Sequence, residues 1–194
     1  MTSTFTDVQL DALRELANIG SGTAGTALSA MLGKPVDINV PKVAALPVPD
    51  AVEAVGDPSE PRWAVVVPTV GDLPGHVLLL FPQRDAVRLC ELLGVPVDSE
   101  DGRSALGEIG NILGTSYINA LAQMLGIDTE PAPPMVVCDM LGAILASVLL
   151  SGADADVALI MDSALVVEGE ACELSFLLLP QGAAVGDLLG RLGL

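Results

Sequence analysis

Two side-chain pairs in this sequence have the types and spacing for chemistry: Glu15 with Asn18, and Glu108 with Asn111. Each sets a carboxylate three residues before a carboxamide, which on an α-helix places both on one face. A carboxylate can pair with a cation. A carboxamide can accept a hydrogen bond through its oxygen while donating others through its nitrogen. Such a pair can bind and orient. Extended by one turn, Asp11, Glu15 and Asn18 make one continuous helical stripe, and Ser104, Glu108 and Asn111 make another. The plain alternative is that these are the solvated sides of two amphipathic helices.

The second stripe repeats the first. Laying Asp11 over Ser104 aligns the chain as far as Val43 with the chain as far as Val136 without a gap, and 12 of the 33 positions are identical. Among them are Glu15/Glu108, Asn18/Asn111, Met31/Met124, Gly33/Gly126 and Pro41/Pro134. A weaker echo joins Leu79 to Gly94 with Leu177 to Gly193. The chain therefore reads as a single domain, residues 1–194, made of two repeats over about 6–96 and 99–194. After a duplication an exposed face should drift before a buried one. Here Arg14, Leu16 and Ala17 have become Gly107, Ile109 and Gly110 while the Glu and Asn persist, which singles out the pair.

The repeat also weighs against a rival motif. Gly20, Gly22 and Gly25 have the G-x-G-x-x-G spacing of a dinucleotide-binding turn, but the second copy carries Leu113, Thr115 and Ile118 instead. That turn must follow a strand and open a helix, whereas Val8 to Ala17 is itself helical in pattern. These small residues are expected to let two helices approach closely.

The elements that position the stripes follow from periodicity. In the first half, a capping box at Thr6 and Gln9 opens a long helix or helix pair that runs to Met31 and is closed by Gly33. Strands are expected at Val43 to Leu46, Trp63 to Thr69 and His76 to Phe81, then a helix from Gln83 to Leu93. The Pro-rich, acidic stretch from Pro47 to Pro61 reads as an exposed loop. In the second half a helix from about Glu100 to Leu125 precedes a strand at Met135 to Cys138 and an apolar helix at Met140 to Leu150. Strands at Val157 to Met161, Ser163 to Glu168 and Cys172 to Leu179 lead to a helix from Ala183 to Leu192. Short connections imply antiparallel pairing. The fold class is α+β, internally duplicated, with helices packed on a largely antiparallel sheet and pseudo-twofold symmetry.

Composition excludes several functions. A formal charge of −17, with only 8 Lys and Arg, argues against nucleic acid and anionic membrane as partners. The longest apolar run, Met140 to Leu150, is far short of the roughly 20 residues that cross a bilayer, and the first residues lack a signal-peptide pattern; a cytoplasmic location is expected. Cys90, Cys138 and Cys172 sit in apolar runs and should pack as small hydrophobes. His76, the one histidine, leaves no metal site or mechanism that needs two; it reads as a strand residue.

Both copies fit D/S-x3-E-x2-N-x22-P: Asp11, Glu15, Asn18 and Pro41, then Ser104, Glu108, Asn111 and Pro134. This pattern resembles the CheC/CheX/FliY family of phosphatases that act on the phosphorylated response regulator CheY, and two copies are similar to its CheC-type branch. The resemblance implies a CheC-like fold and hydrolysis of the CheY aspartyl phosphate. In it, Asn18 and Asn111 position the attacking water, while Glu15 and Glu108 dock against a lysine beside the phosphate. Asp11 and Ser104 would orient those glutamates or touch the regulator, and Pro41 and Pro134 would end the helices and set the next strand. No cofactor is expected on this chain itself; Mg2+ is expected in CheY. CheD is implied as a second partner, through a region similar to Asp139 to Asp154. The alternative function is a non-enzymatic adaptor that binds CheD, phosphorylated CheY or both.

Overall fold

The computed structural model describes residues 7–150 and 157–181. In chain order its elements are α1 (Asp7–Leu32), β1 (Val36–Pro47), α2 (Val48–Val55), β2 (Pro61–Gly71), β3 (Gly75–Pro82), α3 (Gln83–Leu92), α4 (Glu100–Leu125), β4 (Thr129–Pro131), β5 (Met135–Met140), α5 (Leu141–Leu150), β6 (Val157–Val167) and β7 (Glu170–Pro180).

Strict alternation along the strands sorts side chains onto two faces. Val65, Val67, Val77, Leu79, Phe176 and Leu178 share one core with α1, α3 and α4. Ala64, Val66, Leu78, Leu80, Leu177 and Leu179 share the other with α2 and α5. The sheet is thus covered on both sides. Its order is β1-β6-β7-β3-β2-β4, with β5 also on β2, and every pair is antiparallel.

The long helices form because apolar residues recur at helical intervals. On α1, Leu13, Leu16, Ala17, Ala24, Leu28 and Leu32 are all buried. Gly33, at φ +66°, ends the helix in a left-handed conformation that lacks a steric penalty only for glycine. Ser99 caps α4, its hydroxyl accepting from the Gly102 N–H at 3.0 Å, and Gly126 closes it at φ +62°.

The duplication is visible as symmetry. Helices α1 and α4 have 26 residues each, and β2 and β6 have 11 each. Strand order reads the same from either side: β1 beside β6 beside β7 mirrors β5 beside β2 beside β3. The halves interlock, since β1 pairs with β6 and β2 with β4 and β5, and at the centre β3 pairs with β7, with Leu78 opposite Leu177 and Leu79 opposite Phe176.

Several expectations need correction. The stretch from Pro47 to Pro61 is not all loop, since α2 forms within it, with proline in the first turn and Ala51 buried. A proline is tolerated there because first-turn N–H groups have no intrahelical partner. Pro41 does not end a helix; it lies inside β1. The register shifts there, from Asn39 opposite Ala164 to Lys42 opposite Asp162. Such a bulge accepts a residue with no N–H to give to the ladder. Pro134 stands just before β5. The two strands expected across 157–168 are one, because Asp162 in its middle is satisfied by the Ser175 hydroxyl at 2.9 Å and by Lys42 at 3.4 Å. Cys138 is exposed on β5, while Cys90 and Cys172 are buried. Thr6 of the capping box and the helix from Ala183 to Leu192 lie outside the described residues.

Candidate functional site

Helices α1 and α4 lie side by side on the same face of the sheet. Their approach depends on Gly20: a Cβ there would fall 2.5 Å from Tyr117 Cδ1. The neighbouring glycines act differently from the expected helix-packing role. Gly25 fits against the Val36 carbonyl, 3.1 Å from its would-be Cβ, and Gly22 has nothing within 4 Å. In α4, small residues face the sheet, and a Cβ on Gly110 would come 2.5 Å from Val65. Seating both helices this closely fixes which sides look outward.

Asp11, Glu15 and Asn18 are exposed on α1, and Ser104 and Glu108 are exposed on α4. Asn111 is half-buried, a departure from the fully exposed stripe expected. Each Glu/Asn pair therefore shares the outward side of its own helix, supported from below by Leu13, Leu16 and Ala17 in one case and by Leu106, Ile109 and Leu113 in the other.

The two stripes differ in their surroundings. The Asp11 carboxylate accepts from the Arg14 guanidinium at 2.6 Å, so it is held by Arg14 rather than directed at Glu15. With 70% of the Asp11 side chain exposed, that pair adds little stability. The second half has Gly107 in place of Arg14 and no such pair. Ile19, beside Asn18, is 44% exposed, whereas its counterpart Ile112 is half-buried. An open polar groove of about 480 Å3 adjoins Asn18 between α1 and β1, lined by Ser21, Gly22, Thr26, Asp37 and Asn39 among others. Near Asn111 the notable neighbour is Thr115, whose Oγ1 lies 3.5 Å from Asn111 Oδ1. Sequence reasoning passed over Thr115 because it registered only as the residue replacing Gly22.

Burial pushes the thiols of Cys90 and Cys172 up, and burial together with the Asp98 carboxylate does the same to Cys138. A raised pKa keeps a thiol protonated and poorly nucleophilic at neutral pH. The stripes' own means remain a carboxylate and a carboxamide: one to pair with a cation, the other to hold a water or an oxyanion.

The CheC-like family model matches residues 8–44 and 102–138, which include both stripes. The CheY-P phosphatase CheC of Bacillus subtilis is 35% identical over 150 residues, spanning 73% of this chain and 72% of that protein. The chain belongs to the CheC-like family. A further relative, the flagellar motor switch phosphatase FliY of Bacillus subtilis, is 31% identical over 122 residues, which is 63% of this chain and 30% of that protein. The X-ray structure of Thermotoga maritima FliY shares the fold, with a TM-score of 0.76 at 22% identity over 98% of each chain. Among the described residues of this CheC-like chain, no helix is long and apolar enough to cross a membrane.

Proposed function

We propose that this chain hydrolyses the aspartyl phosphate of the cytoplasmic response regulator CheY at two sites, Glu15 with Asn18 and Glu108 with Asn111. One observation carries the reading: the same outward-facing Glu/Asn pair stands at the same place on two equivalent helices of a CheC-like chain. The relative named as a CheY-P phosphatase supports the choice of substrate.

The chemistry suits these residues. Phosphoryl transfer through a loose transition state needs positioning and electrostatic relief far more than a strong base. Each asparagine accepts a hydrogen bond from the attacking water through Oδ1 and donates through Nδ2 to a phosphoryl oxygen. A carboxylate in its place would repel the phosphoryl group. Each glutamate, three residues earlier, pairs with a lysine beside the phosphate and so sets the register of the helix in the regulator's site. Asp11 and Ser104 lie at the rim of this docking surface. The Mg2+ that withdraws charge from the phosphoryl oxygens belongs to the regulator in this reading.

The test is turnover of purified CheY phosphate by the chain with Asn18→Ala and Asn111→Ala together, run with and without CheD. Loss of turnover with regulator binding retained is expected. Near-normal turnover by the folded double variant overturns the assignment.

A second reading, an adaptor for CheD, draws on α5. Leu141, Ile144, Leu145 and Val148 are buried, while Leu150 is 88% exposed. In that reading the chain binds CheD or phosphorylated CheY without turning it over, and the same assay separates the two.

A further inference from the structure

We infer that Thr115 is a positioning residue for Asn111, and that the first site works without an equivalent because Gly22 occupies the corresponding place. This rests on the phosphatase reading and adds to it a physical difference between the two sites.

The hydroxyls on α1 point to the helix backbone. Thr23 donates to the Ile19 carbonyl at 3.2 Å, Thr26 to Gly22 at 3.0 Å and Ser29 to Gly25 at 2.7 Å. Thr115 is turned instead to a side chain, with its Oγ1 3.5 Å from Asn111 Oδ1. That distance exceeds the roughly 2.5–3.0 Å of a formed O–H···O bond, so the bond has to close by a small movement, as active-site hydrogen bonds that are long in a free enzyme do when a substrate complex forms. The carboxamide oxygen has two lone pairs, so one can accept from Thr115 while the other is left for the attacking water. In this orientation the Thr115 hydroxyl faces Oδ1; because a hydroxyl can accept as well as donate, it steadies the carboxamide without itself deciding which atom faces it. With Oδ1 toward Thr115, Nδ2 lies on the far side of the carboxamide.

Asn18 has no such support. One turn further along α1 stands Gly22, where a Cβ would meet nothing within 4 Å, and the Asn18 side chain is exposed. Its carboxamide must be ordered when the regulator docks, at a cost in rotamer entropy. The second site has its supporting hydroxyl at hand before docking; the first is ordered by docking alone. The space at Gly22, where a Cβ meets nothing within 4 Å, makes the difference open to transfer by substitution.

Each site is assayed alone on purified CheY phosphate: the second in an Asn18→Ala background, the first in an Asn111→Ala background. Thr115→Val is expected to lower kcat of the second site about three- to tenfold, the range of one ordinary hydrogen bond, with KM and melting temperature unchanged. Thr115→Ser should retain kcat. Gly22→Thr should raise kcat of the first site by a similar factor. An unchanged kcat in Thr115→Val overturns the inference, as does equal impairment of the serine and valine variants, which would assign the effect to packing. Should Thr115→Val fail to fold, the Gly22→Thr arm decides, and no gain there overturns the inference. Failure of the phosphatase reading shows separately, as turnover that survives loss of both asparagines.

Discussion

Gly20 on α1 lies so close to Tyr117 on α4 that a Cβ added at Gly20 would stand 2.5 Å from the ring carbon Cδ1. Tyr117 is 1% exposed and also meets Phe176, with ring centroids 4.8 Å apart, so the ring cannot easily withdraw. Gly20→Ala should destabilise the fold by about 1–3 kcal/mol through overpacking. Gly22→Ala, one turn from the stripe and in open space, should instead stabilise it by about 0.5–1 kcal/mol through the lower conformational entropy of the unfolded chain. Urea unfolding of the two variants checks the opposite signs.

Substituting the glutamates should separate binding from turnover. Glu15→Ala and Glu108→Ala together are expected to weaken binding of phosphorylated CheY about tenfold, equivalent to about 1.4 kcal/mol. An ion pair made on docking acts in the ground state and the transition state alike. The asparagine pair should instead lower kcat about a hundredfold or more, as when a positioned transition-state donor is removed. Titration calorimetry with a non-hydrolysable CheY phosphate mimic, beside single-turnover kinetics, measures the two effects.

The charge of −17 predicts that salt stabilises the fold. Repulsion among carboxylates is screened as the Debye length falls from about 10 Å at 0.1 M to about 3 Å at 1 M. The melting temperature should rise over that range of sodium chloride. A flat profile would show that local pairs such as Lys34 with Glu168, at 2.8 Å, already neutralise the repulsion that matters.

His76 should make stability depend on pH. Burial lowers its pKa in the folded chain below the ordinary 6.5, and its Nδ1 is buried without a hydrogen-bond partner. As pH falls, the unfolded chain therefore takes up the proton first. Stability is complete above the ordinary value and declines as pH drops from there through the folded value. Comparing the pH dependence of unfolding in the wild type and in His76→Gln should show a shallower decline in the variant.

Much of this architecture was legible because local and global signals agree. The periodicity of Leu13, Ala17, Ala24 and Leu28, with Gly33 beyond it, defines α1 nearly to the residue. Glu100 to Leu125 was equally clear, and so were the apolar strands β2, β3 and β7. Two of the misses share one cause: each is settled by a partner distant in sequence. Pro41 fits a strand only because β1 bulges there against β6. Asp162 sits mid-strand only because Ser175 and Lys42 satisfy it from the neighbouring strands. Helix α2 was hidden by prolines that usually signal a turn, of which Pro47 here stands at its N-cap and Pro49 in its first turn. At the candidate site, the Glu/Asn pairs stood out because they occur twice; the placement of Thr115 did not, because a hydroxyl reads as functional only once its neighbour is known.

The β3/β7 seam has the geometry of an isologous contact. Leu79 and Leu177 are counterparts in the two repeats, as are Leu78 and Phe176, and the register sets Leu78 opposite Leu177 and Leu79 opposite Phe176. Exchanging the halves therefore returns the same two pairs, as in a twofold homodimer. Here the two protomer-like units are joined in one polypeptide, so the effective concentration of one for the other is set by the linker instead of by dilution. The symmetric arrangement cannot dissociate, and each half is free to vary independently of the other. That freedom is what allows a glycine to stand beside one asparagine and a threonine beside the other.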